Sequence, residues 1–251
     1  MRFSGKVLLA TGAGSGIAAA VAETFVAEGG SVALLDWNHA AAAAVASRLD
    51  RSLAIDCDVA SESAVRQAVD HAVQTFGRID CVLNSAGHVI NKPIDDVSLD
   101  DWNRMMAVHV TGTFLVCKHA VPHLKRGDTS SIVNMSSVAA VSGIRNLSAY
   151  SAAKGAILAL SRQLAMELAP HRIRVNTVVP GSIETPMSIA LAVDRGGGDR
   201  ARGIQPVIDN TPLGRVGTPA EAAAAILFLL SDAASYFTGS DLRPDGGLTA
   251  R

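Results

Sequence analysis

The chain has no surplus of positive charge, no long apolar run and no cysteine pattern, and each absence excludes a class of function. Its 22 Lys and Arg stand against 23 Asp and Glu, a formal net charge of −1. No stretch gathers the basic residues into a stripe, so neither nucleic acid nor an anionic membrane surface is an expected partner. The longest apolar stretches are strand-length or interrupted, which argues against a membrane span. Met1–Lys6 leads straight into a strand-like run, with no leader-type apolar segment followed by a cleavage site. Cys57, Cys81 and Cys117 are odd in number and lack C-x-x-C spacing. That pattern argues for reduced, buried thiols in a cytoplasmic protein rather than for a disulfide framework or a metal site. No internal repeat or linker divides the chain, and one domain over 1–251 is expected.

What is present is an alternation. Val7–Ala10, Val32–Leu35, Leu53–Ile55, Cys81–Leu83, Ile132–Met135 and Val175–Val179 are short apolar runs of the kind that form strands buried on both faces. Between them lie helix-length stretches: Ile17–Glu28, His39–Leu49, Glu62–Phe76, Leu99–Leu124 and Tyr150–Leu168. The order predicts an α/β fold, a Rossmann-like doubly wound parallel sheet with helices on both faces. Ser98–Asp101 resembles a capping box, and Thr218-Pro219-Ala220-Glu221 opens a further helix predicted to reach Leu230. The segment 185–211 contains Asp194-Arg-Gly-Gly-Gly-Asp199 and is predicted to be a structureless substrate lid.

Two local patterns carry chemistry. Thr11-Gly12-Ala13-Gly14-Ser15-Gly16-Ile17 follows the first strand and opens the first helix. Glycines there allow a tight turn and close approach to a pyrophosphate, while the helix N-terminus offers free N–H groups to the anion. Asp36 ends the second strand 20 residues after Gly16, where a carboxylate accepts hydrogen bonds from a ribose diol and repels a 2′-phosphate. Trp37 follows it, and Ser15 precedes Gly16, so no basic residue favours NADP; the expected cofactor is NAD. The second pattern is Tyr150 and Lys154, one helical turn apart on one face. A phenol is a weak acid near neutrality, and an ammonium beside it favours the phenolate, so the pair is a candidate proton-transfer device.

With these and the following motifs the chain resembles a short-chain dehydrogenase/reductase over nearly its whole length. The glycine turn is similar to TGxxxGxG. Cys57-Asp58-Val59 matches an acidic element that contacts adenine, and Asn84-Ser85-Ala86-Gly87 resembles NNAG. Ser137 lies 13 residues before Tyr150, as the family's catalytic Ser does. Pro180, Gly181, Ile183 and Thr185 match the stretch beside the nicotinamide half, and Asp245-Gly246-Gly247 resembles a C-terminal signature. The resemblance implies that Tyr150 is the general acid/base on the substrate oxygen. It implies that Lys154 lowers the Tyr150 pKa and bonds the nicotinamide ribose, and that Ser137 orients the same oxygen. The reaction implied is hydride transfer between a secondary alcohol or its ketone and NAD(H). A 3-oxoacyl-carrier-protein reductase and a catalytically silent dinucleotide-binding protein are alternatives on the same scaffold. Family membership also implies a homotetramer formed through Leu99–Leu124 and Tyr150–Leu168.

The chain departs from the pattern at three places. Ala18 replaces a usual glycine. Pro244 in the last strand predicts an edge or an ending there. His109 stands where the family has an Asn that completes a catalytic tetrad. His109 either packs in the amide's place or takes part in a proton relay through its titratable ring. His119 and His123 have helical metal spacing, but no acidic residue accompanies them in sequence and Pro122 intervenes, so no metal is expected. Candidate substrate contacts are His88, Ala139, Arg145 and Met187 beside Ser137 and Tyr150, Arg145 being a candidate anion binder.

Overall fold

The computed structural model describes residues 1–250. In chain order the main elements are β1 (Val7–Thr11), α1 (Gly16–Ala27), β2 (Ser31–Asp36), α2 (His39–Ala46), β3 (Ser52–Asp56), α3 (Glu62–Phe76), β4 (Cys81–Asn84), α4 (Leu99–Met106), α5 (Gly112–Leu124), β5 (Ser130–Met135), α6 (Ser148–Leu168), β6 (Ile173–Val178), α7 (Pro186–Arg195), α8 (Arg200–Asn210), α9 (Pro219–Leu230) and β7 (Asp241–Leu242). The seven strands form one parallel sheet in the order β3-β2-β1-β4-β5-β6-β7. The doubly wound sheet predicted from the alternation is therefore present.

Two cores cover the sheet. On one face Val21, Phe25, Ile226 and Leu230 from α1 and α9 pack on Leu8, Leu34 and Val133. On the other, Val65, Val69, Leu115, Val116 and Leu168 from α3, α5 and α6 pack on Leu9, Leu35, Val82 and Ile132. Residues alternate between the two cores along each strand because successive side chains point to opposite faces. Ala18 is buried in the first core, where its methyl fits between helix and strand.

Sequence order reverses between β1 and β4, and the crevice at the C-terminal ends of these strands is where a doubly wound sheet opens for a ligand. The prediction for Pro244 holds. β7 is an edge strand ending at Leu242, and the Pro244 carbonyl still accepts from Gly181 N–H at 3.1 Å.

Two predicted elements need correction. The helix expected to run unbroken over Leu99–Leu124 is interrupted by a π-helical turn at Ala107–Thr111, which widens one turn around His109. The segment 185–211 is not structureless: it is a helical hairpin, α7 and α8, joined by Gly196–Gly198. The glycine run does break the helix, but both flanks carry good N-caps. Thr185 accepts from Ser188 N–H in a capping box that precedes Pro186, and Asp199 accepts from Ala201 and Arg202 N–H.

Candidate active site

The C-terminal ends of the strands open into one cleft of about 1370 Å³. The loops after β1, β2, β4, β5 and β6 each contribute wall, and α7 and α8 close the side. The Gly12–Ile17 turn, Asp36, Trp37, Asp58 and Val59 line one end. Ala86, Gly87, Pro180, Gly181, Ile183 and Thr185 line the middle. His88, His109, Ser137, Ala139, Arg145, Tyr150, Lys154 and Met187 line the other end. Residues far apart in sequence are brought together because each follows the C-terminal end of a strand or lies on a helix packed there.

The cofactor end is shaped for an anion next to a hydrogen-bonding carboxylate. Gly12 has φ +65°, and a Cβ there would lie 2.8 Å from Ala86 Cα, so the turn requires glycine. Ser15 occupies the N-cap of α1 without a side-chain cap bond, and no acidic residue occupies the first turn. The helix N-terminus is thus left open to a negative ligand. The Asp36 carboxylate accepts from Gly14 N–H and Asn38 N–H, both at 2.9 Å, which aims it at the turn. This cradle fits a dinucleotide pyrophosphate and adenosine ribose.

Asn84 is a correction. It does not reach the cleft. Its side chain turns into the core between strands, where Nδ2 donates to Asn134 Oδ1 at 2.8 Å and approaches Cys117 Sγ at 3.3 Å. Asn134 in turn donates to Ser161 Oγ at 2.8 Å. The Asn84 amide ties β4 to β5 and meets α5 at Cys117, and Asn134 carries the connection on to α6.

At the far end Lys154 is buried, with Nζ donating to the Met135 carbonyl at 2.7 Å. Ser136 Oγ donates to the Lys154 carbonyl at 2.9 Å, so β5 and α6 hold each other in register here. Loss of hydration lowers the Lys154 pKa from 10.5 to about 7. The Tyr150 phenol is pushed up by burial, while a hydrogen bond with Ser137 opposes the rise. The expected lowering of the Tyr150 pKa by Lys154 is therefore not what the free protein displays. The ammonium lies 5.6 Å from the centre of the Tyr150 ring, is itself destabilised by burial, and does not outweigh the desolvation of the phenolate.

His109 is buried, and its ring meets the Tyr150 ring edge-on with centroids 5.5 Å apart. His109 Nε2 lies 2.8 Å from the His88 carbonyl and 3.1 Å from His88 N–H, and Nδ1 has no partner. Burial first, then the charge of Lys154, hold its pKa well below the usual imidazole range. Its own carbonyl accepts from Thr113 Oγ1 at 2.7 Å. A Cβ on Gly87 would run into the imidazole ring; the glycine is what makes room for histidine here. His88 is also lowered, chiefly by burial, and its Nε2 has no partner.

His119, on the opposite surface, is 3.2 Å from Glu62 Oε1, which also accepts from Lys118 Nζ at 2.6 Å. An acidic residue thus does join this histidine through space, although none did in sequence, and α5 continues through Pro122. No cluster of three metal-ligating side chains occurs among the described residues. The residues that sequence reading missed are Arg104, Arg195 and Arg202, all on the cleft wall. No spacing rule marks them.

A family model described as enoyl-(acyl carrier protein) reductase matches residues 12–249. The chain is 40% identical over 251 residues to a 2,5-dichloro-2,5-cyclohexadiene-1,4-diol dehydrogenase of Sphingobium indicum, covering 98% of each. It is 39% identical to a D-threitol dehydrogenase of Mycolicibacterium smegmatis, covering all of this chain and 95% of the other. Among solved structures, an NAD⁺-bound xylitol dehydrogenase superposes with a TM-score of 0.93 at 36% identity, covering 98% of this chain and all of the other.

Proposed function

The chain belongs to the short-chain dehydrogenase/reductase family, and from that premise we propose that it interconverts a secondary alcohol and a ketone with NAD(H) as cofactor. The observation that carries this reading is a single cleft whose one end is the open N-terminus of α1 beside Asp36 and whose other end is Ser137, Tyr150 and Lys154. The cofactor supplies the hydride exchange; the protein supplies binding, orientation and proton transfer.

Gly12, Ser15, Gly16 and Ile17 receive the pyrophosphate, and Asp36 receives the ribose diol, with Trp37, Asp58 and Val59 beside the adenine. Ala86, Gly87, Pro180, Gly181, Ile183 and Thr185 flank the nicotinamide half. Ser137 orients the substrate oxygen. In the reducing direction the Tyr150 phenol, which burial keeps protonated at neutral pH, gives its proton to that oxygen. In the oxidising direction the phenol must first lose its proton, and the Lys154 ammonium is the charge able to stabilise the phenolate. His109 serves by position: neutral and tied to the main chain of His88, it holds the loop after β4 against Tyr150.

The test is NADH formation over a panel of secondary alcohols, with Tyr150→Phe compared with the natural protein. Turnover should fall roughly 10²- to 10⁴-fold while NAD binding, followed by fluorescence, is retained. Full turnover in Tyr150→Phe would remove the phenol from the mechanism. Absence of turnover in both proteins would favour the silent dinucleotide binder.

No helix among the described residues is long and apolar enough to cross a membrane, and Cys57, Cys81 and Cys117 are free and buried. Both fit a cytoplasmic enzyme. Leu99, Trp102 and Phe114 on α4–α5 and Met166 on α6 are large apolar side chains left exposed. They support a homotetramer formed through these helices. Light scattering of the purified protein should give four chains per particle; a clean monomer would sink that assembly.

A further inference from the structure

Four of the arginines lining the cleft make no side-chain hydrogen bond or ion pair among the described residues. They are Arg104 on α4, Arg145 in the loop before α6, Arg195 at the end of α7 and Arg202 on α8. Arg200, Arg215 and Arg162 are by contrast paired, with Glu184, Glu221 and Asp241. Of the acidic residues on the cleft wall, Asp36 and Asp58 belong to the cofactor end. Asp194 is held by Asn91 Nδ2 at 2.8 Å, a bond that pins the end of α7 to the loop after His88. Arg195, the next residue, lines the same cleft. It is only partly exposed, and loss of hydration lowers its pKa, with Asp194 a lesser, opposing influence. Arg104 is near enough to depress the His88 imidazole.

A guanidinium partly withdrawn from water, as at Arg195, is unfavourable without an anion to bond it. Such an arrangement is relieved when an anion enters. The pyrophosphate cradle lies at the Gly12–Ile17 turn, so the cofactor's phosphates already have a place. The planar fork of arginine matches a carboxylate through two parallel hydrogen bonds. We propose that the substrate is a hydroxy acid, a secondary alcohol whose carboxylate is bound by Arg195 within an anion subsite completed by Arg104, Arg145 and Arg202. The proposal rests on the dehydrogenase reading above and names its substrate class. In sequence only Arg145 stands near the catalytic segment; Arg104, Arg195 and Arg202 reach the cleft on α4, α7 and α8.

The experiment uses matched pairs, such as 4-hydroxypentanoate against 1,4-pentanediol and 3-hydroxybutyrate against 1,3-butanediol, with NADH formation as readout. The carboxylate member should have the higher kcat/KM, and Arg195→Gln should erase the preference by raising its KM roughly 10- to 100-fold. Arg104→Gln and Arg145→Gln, at exposed positions, should each narrow the preference and serve if Arg195→Gln folds poorly. A wild-type preference for the diols, or a preference untouched by all three variants, would overturn the proposal. So would a rise confined to the KM for NAD, which would assign the arginines to the cofactor. Calorimetric titration of 4-oxopentanoate and 2-pentanone into the NAD-loaded protein tests the subsite without turnover. Tighter binding of the acid, lost in Arg195→Gln, supports the subsite even if no alcohol is oxidised; equal binding of both ketones rejects it.

Discussion

At the scale of single residues, the position with most to say is His109. The family resemblance left it either as a stand-in for an amide or as a titrating member of a relay. The structure favours the first: the ring is buried, its pKa is held well below the usual imidazole range, and Nε2 is engaged with the His88 main chain. A group that stays neutral across the working range contributes no limb to a pH–rate profile. His109→Asn should therefore leave the shape of the kcat/KM profile between pH 7 and 9 unchanged, with any loss confined to its height. Loss of one limb in the variant would establish the relay. Part of this was legible in the sequence, since the motif put His109 at the tetrad position usually held by Asn. That Gly87 is what admits the ring was not legible, because the two are brought together only by the packing of the π-helical turn on the loop after β4.

At the scale of elements, ends proved more readable than interiors. Thr218 caps α9 as expected, and Glu221 completes a capping box with it: Glu221 N–H donates to Thr218 Oγ1 at 3.3 Å and Thr218 N–H to Glu221 Oε2 at 2.8 Å. Arg215 adds an ion pair that holds Glu221 down to about 2. Thr218→Ala should cost about 1 kcal/mol and lower Tm by roughly 2–4 °C, read by thermal unfolding; a loss of less than a few tenths would mean that α9 is fixed by its buried face alone. The α7–α8 hairpin was misread for a definable reason. Three consecutive glycines are a true helix break, yet a break between two capped helices and a break within a loop look alike when composition is weighed over the whole segment. Capping residues at Thr185 and Asp199 were the available signal.

At the scale of the whole molecule, burial of Lys154 links the active site to stability. Its pKa falls from 10.5 in the exposed chain to about 7 when folded. Below about pH 7 both states hold the proton and folding bears the full desolvation cost. Between about 7 and 10.5 only the unfolded chain holds it, so stability rises with pH across that window. Each pH unit is worth about 1.4 kcal/mol. In urea unfolding, the natural protein should gain about 2 kcal/mol more than Lys154→Met between pH 7 and pH 9. Parallel pH dependences would show that the lysine keeps its ordinary pKa.

The sequence by itself determined the parallel sheet, because runs buried on both faces alternate with helical stretches and few other folds accept that order. It placed the glycine turn and Asp36 at strand ends and Tyr150 and Lys154 one helical turn apart, while Ser137 was marked by the family resemblance, 13 residues before Tyr150. Only the tertiary structure decided that Asn84 faces the core, that Gly87 makes room for His109, and that four arginines without side-chain partners line one cleft. Those outcomes are set by which side chains from distant segments meet, and by which charges meet no partner. Neither quantity is local along the chain.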